Sequence, residues 1–261
     1  MHPPAFSTEL YRDVVGVAAQ APVAVQEFMR HFTELSIIAL LLLVAVVWWG
    51  ARRAAAATMA VTVLGPAAGV GAYLTSETSK VFLAEERPCR AVGLPILAAE
   101  CPPTGDWSFP SNHSTIAGAL FIAVFMVAWR WGLLALPIAV LVAFSRVFVG
   151  VHYPHDVLVG FLLGGLLTVL LTHLLLAPAT RLVASLRGRP LIGWVLGAGP
   201  AAVPLQSATP ALAPAPPRTA APAAASAPVA VPAPAAAPAS AQAPALQPAG
   251  AGVYRAGSRP R

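Results

Sequence analysis

Two histidines, three cations and an aspartate give this chain its chemistry. His152 and Asp156 stand four residues apart in the run His152-Tyr153-Pro154-His155-Asp156, a spacing that lets them meet on one helical turn. A carboxylate bonded to one imidazole nitrogen fixes the tautomer and leaves the other nitrogen free to attack. The same pair also fits a helix N-terminal aspartate beside an incidental histidine. His113 offers a second imidazole, suited to protonating a leaving oxygen. Lys80, Arg87 and Arg146 accompany no run of metal-ligand spacing, so they point to an anion rather than a metal or other cofactor. Phosphate suits them: arginine presents a planar fork to its oxygens and lysine a point charge. Ser111 and Asn112 lie in Phe109-Pro110-Ser111-Asn112-His113, directly before an apolar block. The free amides and positive end of a helix starting there would face the same anion, and Ser111 also suits an N-cap.

The elements that must position these residues are apolar. The chain has 261 residues, 57% of them hydrophobic and 10% charged, against about 25% charged in a soluble domain. Apolar blocks lie at about 35–50, 58–76, 114–130, 132–149 and 157–177. A spanning helix needs roughly 20 apolar residues, so the expected fold is all-α, a transmembrane bundle of about five spans. Residues 1–33 form an N-terminal extracytoplasmic segment, with an interfacial helix over Val14 to Phe28. Residues 34–180 form the catalytic membrane domain. Residues 181–261 form a cytoplasmic, Ala/Pro-rich disordered tail, with 191–199 at the interface and Trp194 as its anchor.

Charge sets the orientation. With five spans, Arg52, Arg53, Arg130, Arg181, Arg187 and Arg189 fall on one side, and every Asp and Glu on the other. Basic short loops mark the cytoplasm, so the candidate site is extracytoplasmic in a multi-pass protein of the cell membrane. Lys80 is the only lysine and the arginines are scattered, which excludes a nucleic-acid binder. Cys89 and Cys101 flank a loop on the outer side, where an oxidising compartment favours a disulfide; they are too few for a zinc site. Glu85 and Glu86 read as solvated loop charges balancing Arg87 and Arg90, and His155 as a non-catalytic interfacial group.

Three patterns then stand out: Lys80 through Arg87-Pro88 as K-x6-R-P, Pro110-Ser111-Asn112-His113 against P-S-G-H, and Ser145-Arg146 through His152 to Asp156 as S-R-x5-H-x3-D. In this order they resemble the signature motifs of the type-2 phosphatidic acid phosphatase (PAP2) superfamily, over roughly residues 35–177. The resemblance implies a metal-independent phosphatase without cofactor, acting on a membrane lipid phosphate or diphosphate. It implies His152 as a nucleophile forming a phosphohistidine, Asp156 as its orienting partner and His113 as the general acid. Lys80, Arg87 and Arg146 would bind phosphate, with Ser111 and the amide of Asn112 assisting. Asn112 departs from the glycine of the basic pattern, but it keeps the amide and tolerates unusual φ. The resemblance to bacterial members makes undecaprenyl diphosphate the expected substrate, with phosphatidylglycerol phosphate or phosphatidic acid as the alternative. A transporter or scaffold that kept the fold is the non-enzymatic alternative.

Overall fold

Pro4 and Pro22 bracket the first helix, because proline starts a helix readily but cannot continue one. The computed structural model describes residues 2–98 and 100–199. Helix α1 spans Ala5–Gln20, and the chain is extended at Ala21 before α2 begins at Val23. The helix expected over Val14 to Phe28 is therefore split: Pro22 forces its preceding residue out of helical geometry. Helix α2 is Val23–Ala51 and α3 is Ala56–Leu83. A single turn, α4, covers Pro88–Ala91, and a long segment leads to α5 (Asn112–Val127). Helices α6 (Trp129–Phe148), α7 (Pro154–Leu186) and α8 (Pro190–Leu196) complete the described part. The boundary expected at 33/34 falls inside α2 and the one at 180 inside α7. Residues 200–261, which hold most of the expected tail, lie outside the described residues.

Four segments are long and apolar enough to cross a bilayer: Val23–Ala51, Ala56–Ala91, Trp129–Phe148 and Pro154–Leu186. The third expected block is a shorter apolar helix, Asn112–Val127. Helix α5 has only 16 residues, about 24 Å at 1.5 Å per residue, because Ala128 leaves helical geometry and α6 starts at once. The described residues form an all-α membrane bundle with α5 at its centre, packed by α2, α3, α6 and α7. Its buried face is built of small side chains, including Ser114, Thr115, Ala117, Gly118 and Ala119. The large side chains point outward: Leu158, Leu162, Leu166, Leu170 and Leu174 of α7 are all exposed, while Thr168 and Thr172 are buried. Leucine outside and small or hydroxyl residues inside is the arrangement of helices solvated by lipid.

Close approach between α5 and α7 depends on glycine. A Cβ on Gly118 would fall 2.1 Å from the Phe161 carbonyl oxygen, and one on Gly164 would fall 1.9 Å from that of Thr115. At the end away from the candidate site, Arg52 donates to the Trp194 carbonyl at 2.5 Å and Arg187 to that of Ala54 at 2.9 Å. These bonds tie α8 and the end of α7 to the α2–α3 turn.

Candidate active site

Each candidate side chain sits at or just beyond a helix end, and all lie at one end of the bundle. Lys80 is in the last turn of α3, Arg87 precedes α4, and Ser111 is the N-cap residue of α5. Arg146 is in the last turn of α6, and Asp156 in the first turn of α7. The Ser111 amide donates to the Asp156 carbonyl at 3.1 Å, which joins the α5 and α7 starts. His113, half-buried, follows Ser111 by two residues.

His152 is buried between opposite neighbours. Its Nδ1 lies 3.3 Å from Asp156 Oδ2, and its Nε2 lies 3.1 Å from Arg87 Nη1. Arginine cannot accept a hydrogen bond, so Nε2 carries the lone pair and Nδ1 the proton. Burial, then the positive charges of Arg87, Arg146 and Lys80 and finally His113, hold the His152 imidazole well below its usual 6.5. Asp156 Oδ2 also accepts from the Ser108 hydroxyl at 2.5 Å and the Tyr153 amide at 2.8 Å. One oxygen of Asp156 thus both caps α7 and lies against His152 Nδ1.

The three cations are buried and partly engaged. Arg87 donates through Nε to the Asp106 carbonyl at 2.7 Å, through Nη2 to Asp106 Oδ1 at 2.8 Å, and through Nη1 to the Val151 carbonyl at 3.1 Å. Lys80 Nζ lies 3.3 Å from Asp106 Oδ1 and 3.5 Å from Glu77. Arg146 Nη1 donates to the Thr33 hydroxyl at 2.8 Å and reaches Glu34 at 3.5 Å. Its Nε is buried with no partner among the described residues. The Asn112 side chain turns away to α3, bonding Glu77 and accepting from the Ser76 hydroxyl at 2.8 Å. The first amides of α5, from Asn112 to Ser114, have no acceptor within the helix.

Several neighbours escape a sequence reading. Asp106 bridges Lys80 and Arg87. Partial burial raises its carboxyl, but the hydrogen bond and charge of Arg87 and then Lys80 outweigh this and hold it below its usual value. Ser108 carries no signal beyond its place just before Pro110-Ser111. The solvated-loop reading of Glu85 is wrong: its carboxylate is fully buried, 3.1 Å from His155 Nε2, because Arg87 is committed to Asp106 and Arg90 to Glu86 and the Pro102 carbonyl. His155 likewise sits inside the site rather than at an interface. Cys89 and Cys101 are joined in a disulfide, with Cα atoms 6.0 Å apart, closing the segment that carries Arg90 toward Asp106.

Fold and site together define a helical membrane protein with a buried histidine–aspartate pair ringed by cations. Residues 60–178 match the PAP2 superfamily. The chain is 42% identical over 101 residues to an undecaprenyl-diphosphatase of Sulfolobus acidocaldarius, covering 38% of this chain and 48% of that protein. It is 41% identical over 63 residues to a lipid A 1-phosphatase of Rhizobium etli, covering 24% and 27% respectively. The chain thus spans less than half the length of these relatives. A transmembrane PAP2 type phosphatidylglycerolphosphate phosphatase of Bacillus subtilis is similar at a TM-score of 0.48 and 24% identity, over 65% of this chain and 84% of that one.

Proposed function

We propose that the chain is a membrane lipid phosphatase that removes a phosphate from a polyprenyl diphosphate, of the undecaprenyl type, through a phosphohistidine. The observation that carries this reading is His152, held by Asp156 on Nδ1 and facing Arg87 with an unprotonated Nε2 in a buried site. The Nε2 lone pair attacks phosphorus and the bond to the leaving oxygen breaks. His113 donates a proton to that oxygen. Lys80, Arg87, Arg146, Ser111 and the α5 amides stabilise the non-bridging oxygens as charge builds on them. The buried, unpartnered Nε of Arg146 is a donor that a phosphate oxygen satisfies. Water, relieved of a proton by His113, then attacks phosphorus, breaks the P–N bond and restores His152.

The site lies at the end of apolar helices, which suits a wet headgroup on a tail that stays in lipid. The relative named an undecaprenyl-diphosphatase favours the prenyl diphosphate. Arg52, Arg53, Arg130, Arg181, Arg187 and Arg189 in the short segments at the opposite end, where no Asp or Glu lies, support an extracytoplasmic active site, with residues 181–261 cytoplasmic. The decisive assay measures phosphate release by the purified protein from prenyl diphosphates, phosphatidylglycerol phosphate, phosphatidic acid and lipid A, with EDTA present. The expected result is preference for the prenyl diphosphate, undiminished by EDTA and abolished by His152→Ala. A transporter or scaffold would show no turnover that depends on His152, and loss of all activity in EDTA would refute the metal-independent mechanism.

A further inference from the structure

Behind the His152–Asp156 pair lies a second layer of buried charge that the mechanism leaves unused. Glu85 and Asp156 are both 0% exposed in their side chains, and His155, at 13%, stands between them. Its Nε2 is 3.1 Å from Glu85 Oε1 and 3.2 Å from Asp156 Oδ1. These are charge contacts: the ring's hydrogen bond goes to Glu85 Oε2 at 3.4 Å, and neither Glu85 Oε1 nor Asp156 Oδ1 has a hydrogen-bond partner among the described residues. The ring is held on all sides. Its Nδ1 lies 2.8 Å from the Ser7 hydroxyl, and its backbone amide donates to the same oxygen at 3.2 Å. Phe109 and Tyr153 stack near its faces, with centroids 5.5 and 5.7 Å away. Ser7 belongs to α1, outside the family-matched region. Helix α1 also reaches the His152 loop directly, where the Tyr11 hydroxyl donates to the Gly150 carbonyl at 3.0 Å.

We infer that His155 is a positioning residue for the catalytic pair, bridging Glu85 and Asp156 through Nε2 and anchored by Ser7 of α1. Two buried carboxylates this close repel one another, and without a shared donor one of them takes up a proton. If Asp156 is the one neutralised, its grip on His152 Nδ1 weakens and the positive charge that develops on the imidazole during attack loses its counterion. The His155 N–H prevents this. Ser7 makes the bridge depend on α1 being docked.

The inference rests on the phosphatase reading, and the test separates the two. Wild-type protein in detergent is assayed first against a polyprenyl diphosphate; silence there sinks the phosphatase reading and says nothing about His155. Given wild-type turnover, His155→Leu is expected to lower kcat about ten- to a hundredfold, the range for loss of a group that orients a reacting side chain, with KM within about threefold. His155→Gln, which keeps an N–H near the Nε2 position, should restore part of kcat. Adding Glu85→Gln to His155→Leu should also restore part of it, because the like charge is gone. The inference is overturned if His155→Leu leaves kcat unchanged, if only KM moves, or if neither second variant improves on it. Should the leucine variant not fold, Ser7→Ala is read instead: a severalfold loss of kcat supports the anchor, and an unchanged kcat refutes it. Turnover that requires added Zn²⁺ or Mn²⁺ also overturns the inference, since the ligand atoms of Glu85, His155 and Asp156 lie within 4.8 Å of one another and would then be metal ligands.

Discussion

Gly164→Ala tests whether helix packing sets the catalytic geometry. Gly164 is on α7, two turns beyond Asp156, and faces α5. A Cβ there would sit 1.9 Å from the Thr115 carbonyl oxygen and 3.0 Å from the Ala119 amide nitrogen. Carbon and carbonyl oxygen rest no closer than about 3.3 Å, so the helices must part by about 1.4 Å. Both obstacles are backbone atoms, and no rotamer change relieves them. Helix α5 begins at the Ser111–Asp156 bond and carries His113, so its displacement carries the proposed general acid away from His152. A misplacement of about 1 Å costs on the order of 100-fold in rate, and forced overpacking costs about 1–3 kcal/mol in stability. The expected outcome is a kcat lower by about 100-fold, with KM changed far less and a lowered melting temperature in detergent. Gly71→Ala is the control: its Cβ would meet Leu171 Cδ1 at 3.4 Å, an ordinary contact, and activity should be unchanged. A Gly164→Ala protein with kcat within about twofold of wild type would refute the claim that this contact sets the geometry.

Other predictions concern charge and the segment between α3 and α5. Because burial and the neighbouring cations depress the His152 pKa, its neutral form, the one the proposed attack needs, persists as pH falls through 6.5, and a kcat/KM profile should show no loss from His152 protonation there. The unfolded chain takes that proton first, so the His152 contribution to stability is whole above about 6.5 and declines below it, which thermal unfolding between pH 7 and 5 measures. Asp106 occupies donors of Lys80 and Arg87 that a phosphate would use; Asp106→Ala should lower KM about three- to tenfold and strengthen inhibition by inorganic phosphate, whereas a higher KM would show that Asp106 aids binding. Cys89→Ser opens a disulfide whose partners are 12 residues apart, and should cost about 3 kcal/mol on the loop-closure estimate, seen as a lower melting temperature that the wild type reproduces under reductant.

The sequence by itself determined the membrane class, the approximate spans and the charged and histidine residues that gather at one end of the bundle. Those properties are local: apolar blocks of spanning length, and His152 four residues before Asp156, declare themselves by composition and spacing. The end of the third block was harder to see, because the break at Ala128 falls within continuously apolar sequence. Only the tertiary structure decided what surrounds the site. Asp106 on Lys80 and Arg87, Ser108 on Asp156, Thr33 on Arg146, and Ser7 on His155 are contacts across helices and loops, and Ser7 lies 148 residues from its partner. A charged residue's neighbours in sequence do not reveal which charge it will meet. Glu85 stands beside two arginines in the chain, yet pairs with a histidine 70 residues away, because packing had already assigned those arginines elsewhere.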